Sequence, residues 1–249
     1  WPALLASLDA PVFFQQDGTL VVWHRQDAAD AARLATQLAH TAHAVPELPA
    51  IQRLDAAALA DTEPALAGRF TQGLLLPGEG QLDNRALLDA LLTALQALPQ
   101  VQLHWHSARA LHGMPHSPAR PVIDCRGLGA RPQWPQLRGV RGEVLRVHAP
   151  EVTLQRPVRL VHPRYPLYIA PKPGQVFVIG ATEIESEDMS APSVRSTLEL
   201  LSAAYAVHPG FAEARIIEVA SQCRPTLPDN LPAIRQTASL QLEINGMYR

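Results

Sequence analysis

The segment richest in chemistry is QCRPTLPDNLPAI, Gln222 to Ile234. An apolar run, ARIIEVASQCR, delivers Arg224 to its end, and Pro225, Pro228 and Pro232 stiffen the loop behind it. A guanidinium held in a preset orientation grips a carboxylate through two parallel hydrogen bonds, which a flexible lysine cannot reproduce. A structural ion pair with Asp229 or another acid is the competing reading. His104 and His106 lie two apart on a predicted strand and would share a face, but a zinc site needs a third ligand and none stands out nearby, so no metal is expected. Glu183 and Glu185 read as solvated loop acids, and Ser107 and Ser221 have no evident His and Asp partners for nucleophilic catalysis.

Around these residues the chain alternates helical and extended patterns. PVFFQQ and TLVVWH flank Asp17-Gly18 and predict a β-hairpin. Asp27 is placed to cap a helix carrying Ala31, Leu34, Ala35 and Leu38, Asp55 opens a shorter one that Glu63-Pro64 stops, and QGLLLP reads as a strand. From Asp83 or Asn84, leucines at 87, 88, 91, 92, 95 and 98 form an apolar stripe ended by Pro99. VQLHWHS alternates as a strand, and PVIDC is a further short one. GEVLRVHA, VRLVHP, LYIAP and QVFVIGAT then predict an antiparallel meander with a turn at Pro173-Gly174. Ser190 or Ser193 starts a helix with Val194, Leu198 and Leu201 on one face, stopped by His208-Pro209-Gly210, and LEING is a strand running into a turn. The architecture expected is α+β, a mixed or antiparallel sheet with helices on one face.

Composition bounds the function. With 249 residues, 47% of them hydrophobic, the chain can bury a sizeable core, and a net charge of −2 gives no electrostatic footprint for nucleic acid or an anionic membrane. No apolar stretch is long enough to span a bilayer. Two distant cysteines, Cys125 and Cys223, suggest neither a disulfide framework nor a metal pair and fit a reducing cytoplasm. Residues 1–14 lack a signal-peptide pattern and an initiating Met, so position 1 reads as the interior of a longer protein, and the abrupt stop at Arg249 reads as a truncated end.

Four segments in order, RGEVLRV (141–147), LYIAPKPGQVFVIGAT (167–182), CRPTLPDNLP (223–232) and INGMYR (244–249), resemble the D-amino-acid oxidase superfamily of FAD-dependent oxidoreductases, nearest to glycine oxidase. The resemblance is weak over 1–110 and good from about 120 onward. It implies that Arg224 binds the substrate carboxylate, that Tyr168 hydrogen-bonds it, and that Arg249 sits beside the flavin ring and substrate. Without it, Tyr168 reads as a core aromatic at a sheet edge and Arg249 as a solvated terminal charge. VIDCRGLGAR corresponds to the segment where the family's chain passes the flavin, with Gly127 and Gly129 letting backbone N–H groups come close, and Gly246 belongs to the last cofactor-contacting segment. Cys125-Arg126 and Leu128 depart from the family pattern, which leaves room for a relative among tRNA-modifying FAD oxidoreductases.

By the same resemblance, 1–111 opens the substrate-binding region, 112–141 returns to a Rossmann-like FAD-binding domain, 142–222 forms the antiparallel substrate-binding sheet and 223–249 returns to the FAD side. The implied reaction is oxidation of glycine, sarcosine or a small D-amino acid, with hydride passing to FAD and O2 as acceptor, and the resemblance also suggests a homo-oligomer. The chain has no G-x-G-x-x-G after a strand, so the phosphate cradle is missing and these residues by themselves are expected to bind FAD poorly or not at all. A flavin-free module that recognises a carboxylate or a partner chain is the reading from another class.

Overall fold

Asp83 shows how local chemistry sets the elements. Its carboxylate accepts the N–H groups of Arg85 at 3.0 Å and Ala86 at 3.1 Å and so caps a long helix. The coordinates are those of a computed structural model and describe residues 1–108, 121–161, 167–236 and 241–248. In chain order the first elements are α1 (Pro2–Ala6), β1 (Phe14–Gln15), β2 (Thr19–Val22), α2 (Ala28–Ala44), β3 (Gln52–Asp55) and α3 (Ala56–Thr62). Then come β4 (Gln72–Leu76), β5 (Gln81–Leu82), α4 (Asn84–Ala97), β6 (Val122–Asp124), β7 (Arg138–His148) and β8 (Val158–Leu160). The chain closes with β9 (Leu167–Lys172), β10 (Val176–Gly180), α5 (Val194–Val207), β11 (Arg215–Thr226), β12 (Ala233–Gln236) and β13 (Gln241–Asn245).

These elements divide into two units. The first comprises Trp1–Gln102, Val144–Thr182 and Pro192–Ala220; the second comprises Leu103–Glu143, Glu183–Ala191 and Ser221–Arg249. Strand β7 enters the first unit at Val144, and β11 leaves it after Ala220. The large sheet has eight strands in the order β11-β7-β10-β9-β8-β2-β4-β3. Its β8-β9-β10 run is the antiparallel meander expected from the sequence, and the parallel β2–β8 pair makes the sheet mixed. On one face Leu145, Val147, Ile169, Phe177 and Ile179 bury against Leu200, Ala204 and Val207 of α5. On the other side of β2, Val21 packs with Ala35 of α2 and with Leu74 and Leu76 of β4. The second unit holds a three-stranded sheet, β12-β13-β6, in which β13 and β6 run parallel. Its small core is Ala130, Trp134, Leu137 and Leu227, and the Arg235 guanidinium stacks 4.0 Å from the Trp134 ring.

Several local expectations give way to tertiary pairing. The hairpin about Asp17-Gly18 does not form: β1 pairs with β5 in a two-stranded ribbon, whereas β2 pairs with β4 and β8. All four residues of β2 are buried, because a central strand covered on both faces has no place for a solvent-facing hairpin partner. VQLHWHS is irregular with a turn at Trp105-His106, so the alternation that predicted a shared face for His104 and His106 has no strand to act on. Helix α5 is capped by Ser193 as expected, yet Val194 and Leu198 are exposed and the packed face is Ser196, Leu200, Ala203, Ala204 and Val207. That helix is apolar on more than one side, so periodicity alone does not choose between stripes. Along α4, Leu87 and Ala90 are buried and Leu88, Leu95 and Leu98 are exposed.

Candidate functional site

In the second unit, the R-G-E triplet of β7 divides its work by strand alternation. Arg141 and Glu143 are buried and pair at 2.6 Å. Arg141 also donates to the carbonyl oxygens of Asp188 and, at 3.0 Å, of Ala191, while its backbone exchanges hydrogen bonds with Ile184. This fixes the 183–191 segment against β7, helped by Glu187, which accepts from Arg131 and from the N–H of Gly139 at 2.9 Å. Gly142, between the two charged residues, serves Arg224. A Cβ at position 142 would overlap the guanidinium carbon and both terminal nitrogens of Arg224, so only a bare Cα leaves the fork its place. Arg224 itself is half-buried near the end of β11. Asp229, the acid offered as a competing partner, accepts the backbone N–H of Leu231 at 3.0 Å and shapes the proline loop.

The carboxyl ends of β6 and β13 lie side by side in the parallel pair. The chain leaves β6 through Gly127 at φ +59° and leaves β13 through Gly246 at φ +80°, a backbone region in which a side chain is strained. The Asn245 amide ties the two turns together by donating to the Gly127 carbonyl at 2.9 Å. Gly129 sits in the 3-10 turn of Gly127–Ala130, and its N–H is donated within that turn to Arg126. Crevices at the carboxyl ends of parallel strands are where open α/β sheets bind nucleotides, so two adjacent glycine turns there suit a flavin nucleotide that needs close backbone approach. Arg126, a departure from the family pattern, is occupied locally. It donates to Asp124 at 2.9 and 2.8 Å and to Gln133 at 3.0 Å, and its hydrogen bonds hold the Asp124 carboxyl below the usual carboxylate range.

In the first unit, register sets a grid on the sheet face opposite α5. Tyr168, Gly180 and Val144 form one row across β9, β10 and β7; Ala170, Val178 and Arg146 form the next; Lys172, Val176 and His148 the third. The Tyr168 phenol crosses Gly180 so closely that a Cβ there would meet its oxygen at 2.7 Å. Tyr168, Arg146, Lys172 and Arg85 line a cavity of about 340 Å³ with Val144 and Val178. Arg85 is tied to Glu218 by two hydrogen bonds of 2.8 Å. Lys172 donates to the Leu82 carbonyl at 2.9 Å and to Gln81 at 3.2 Å, and burial pulls its pKa down, with Asp83 opposing and Arg146 adding to the fall.

Sequence reading pointed to Arg224, Tyr168, Gly127, Gly129 and Gly246. Arg224 and the three glycines fall in the second unit, Tyr168 falls in the first, and Arg249 lies outside the described residues. It did not single out Gly142, Arg146, Lys172 or Arg85. For Gly142 a signal existed, a lone glycine inside the strand pattern RGEVLRV, which marks close approach of another group. The cationic residues depend on cross-strand register and carry no local signal. Among the described residues, no group of three His, Cys, Asp or Glu is set to hold a metal, and no helix is long and apolar enough to cross a membrane.

Comparison with known proteins agrees with this architecture. The chain is 39% identical over all 249 residues to a protein of Rhizobium etli provisionally named thiamine biosynthesis oxidoreductase ThiO, and covers 70% of that protein. Its fold matches glycine oxidase from Geobacillus kaustophilus with a TM-score of 0.80 at 23% identity, covering all of this chain and 71% of that one. Glycine oxidase from Bacillus cereus matches with a TM-score of 0.79 at 16% identity, covering 100% and 72%. The family described as DAO, FAD dependent oxidoreductase, matches residues 1–248, and the chain belongs to this family of FAD-dependent oxidoreductase enzymes.

Proposed function

We propose that this chain supplies the substrate-binding part, with several flavin-contacting segments, of an oxidase that acts on glycine, sarcosine or a small D-amino acid with O2 as acceptor. The observation that carries the reading is the Arg224 guanidinium, brought in by β11 and seated against the bare Cα of Gly142. A fork fixed in this way binds the substrate carboxylate in one orientation, and a hydrogen bond from Tyr168 to that group is assigned by the family motif alone. Fixing the carboxylate fixes the direction of the Cα–H bond, and orientation of this kind supplies a large part of the rate. When bound, FAD supplies the acceptor for the hydrogen and two electrons that leave the substrate. Gly127, Gly129 and Gly246 present backbone to the cofactor, and Arg249 is assigned a place beside substrate and flavin ring by the family motif alone. The names of the Rhizobium relative and of the two glycine oxidases support the choice of substrate class.

The test is to purify the FAD-loaded enzyme that contains this chain and measure hydrogen peroxide with glycine, sarcosine and a panel of D-amino acids. Peroxide release with at least one of them is expected; yellow, flavin-loaded protein that releases none with any substrate refutes the assignment.

A further inference from the structure

Asn245, at the carboxyl end of β13, is only 2% exposed. An apolar side chain would fill that place at lower cost, because asparagine is disfavoured in strands and a buried amide gives up its water. Here both ends of the amide are satisfied. Its Oδ1 accepts the N–H of Gly246 at 2.9 Å, and its Nδ2 donates to the carbonyl of Gly127 at 2.9 Å. The backbone ladder between β13 and β6 stops at the Glu243–Asp124 pair, so the amide carries the link between the two chains past the end of the ladder. Each turn also has contacts of its own. Asp124 accepts the N–H of Arg126 at 3.0 Å at the start of the first, and the Gly246 carbonyl accepts the N–H of Tyr248 at 2.7 Å in the second. A Cβ on Gly246 would lie 2.9 Å from the Leu231 carbonyl oxygen and 2.9 Å from Leu227, so the second turn is packed from behind. These contacts shape each turn by itself, whereas the Asn245 amide sets the spacing between the two.

We propose that Asn245 is a positioning residue for FAD: it holds the Gly127 and Gly246 turns at a fixed separation and so preorganises the backbone that the flavin nucleotide approaches. The inference rests on the reading above that these two turns present backbone to the cofactor. Without the tie the turns move independently, and the cofactor has to order them when it binds, which weakens binding. Two substitutions probe the link. Asn245→Asp keeps an acceptor for the Gly246 N–H but sets a carboxylate oxygen against the Gly127 carbonyl, so it breaks the tie alone, and Asn245→Leu keeps the shape while removing both hydrogen bonds.

The test uses the enzyme that contains this chain, with FAD removed and added back. Each variant should raise the FAD dissociation constant about tenfold, the size of one lost buried hydrogen bond, and should shrink the rise in melting temperature that FAD gives the apoenzyme. KM for the amino-acid substrate at saturating FAD should stay within about twofold, because the seat of Arg224 against Gly142 is untouched. An amide with a merely structural role would lower the melting temperature of apoenzyme and loaded enzyme alike and leave FAD affinity at the parental value, and that outcome overturns the proposal. A raised KM with unchanged FAD affinity overturns it as well. Where Asn245→Leu fails to fold, the near-isosteric Asn245→Asp decides. Deuterium exchange of the parent enzyme with and without FAD separates the proposal from the reading it rests on: protection of peptides spanning 126–130 and 245–248 supports the reading. With that protection, parental FAD affinity in Asn245→Asp refutes the role of Asn245 alone. Absence of protection in both peptides refutes the reading and the proposal with it.

Discussion

At the scale of single residues, the site is organised by what is left out as much as by what is present. Gly142 has no side chain, and the Arg224 fork fills the space. Gly142→Ala should therefore displace the guanidinium or strain β7, raising KM for the amino-acid substrate by about tenfold and costing about 1–3 kcal/mol of stability, as overpacking does. Steady-state kinetics of the FAD-loaded enzyme and urea unfolding check the two parts separately, and a variant with parental KM would show that the fork does not need that space. Arg224 drew notice in the sequence because an arginine late in a strand pattern and followed by spaced prolines is a local signal. The place of Arg146 beside Val178 was not legible, because register is set by the whole sheet.

At the scale of elements, most helix starts were legible in the sequence and strand pairings less so. Asp55 accepts a backbone N–H at its helix start, and so do Asp83 and Ser193, each one of two caps the sequence offered, whereas Asp27 stands at the start of α2 without a side-chain cap hydrogen bond. The supposed hairpin at Gly18 and the chosen face of α5 failed because each was decided by partners distant in sequence. The turn after β6 gives a pH test. Asp124 is buried and hydrogen-bonded by Arg126, which depresses its folded-state pKa below that of the unfolded chain. Its stabilisation is complete above the ordinary aspartate range and is lost as pH falls through the depressed value. Stability measured from roughly pH 5 down to pH 2 should fall in the parent chain and show a smaller acid-dependent component in Asp124→Asn. Equal pH slopes for the two would contradict the assigned pairing.

At the scale of the whole molecule, the fold class and the family were both visible in the ordered motifs of residues 141–249, and the comparisons bear them out. Strands β7 and β11 each pass from one unit to the other without a break in their strand pattern. The glycine turns at 127 and 246 leave room for a flavin nucleotide to come close to the backbone, and the 249 residues contain no G-x-G-x-x-G to cradle a pyrophosphate. Titrating FAD into the 249-residue chain should accordingly give weak binding, without saturation at micromolar flavin. Tight, stoichiometric uptake would show that the phosphates have another anchor.

The central claim is that the Arg224 fork binds the substrate carboxylate, and kinetics of Arg224→Lys in the FAD-loaded enzyme test it most directly. Keeping the charge while removing the bidentate geometry should raise KM for the preferred amino acid by about tenfold or more. A KM equal to that of the parent enzyme would contradict it.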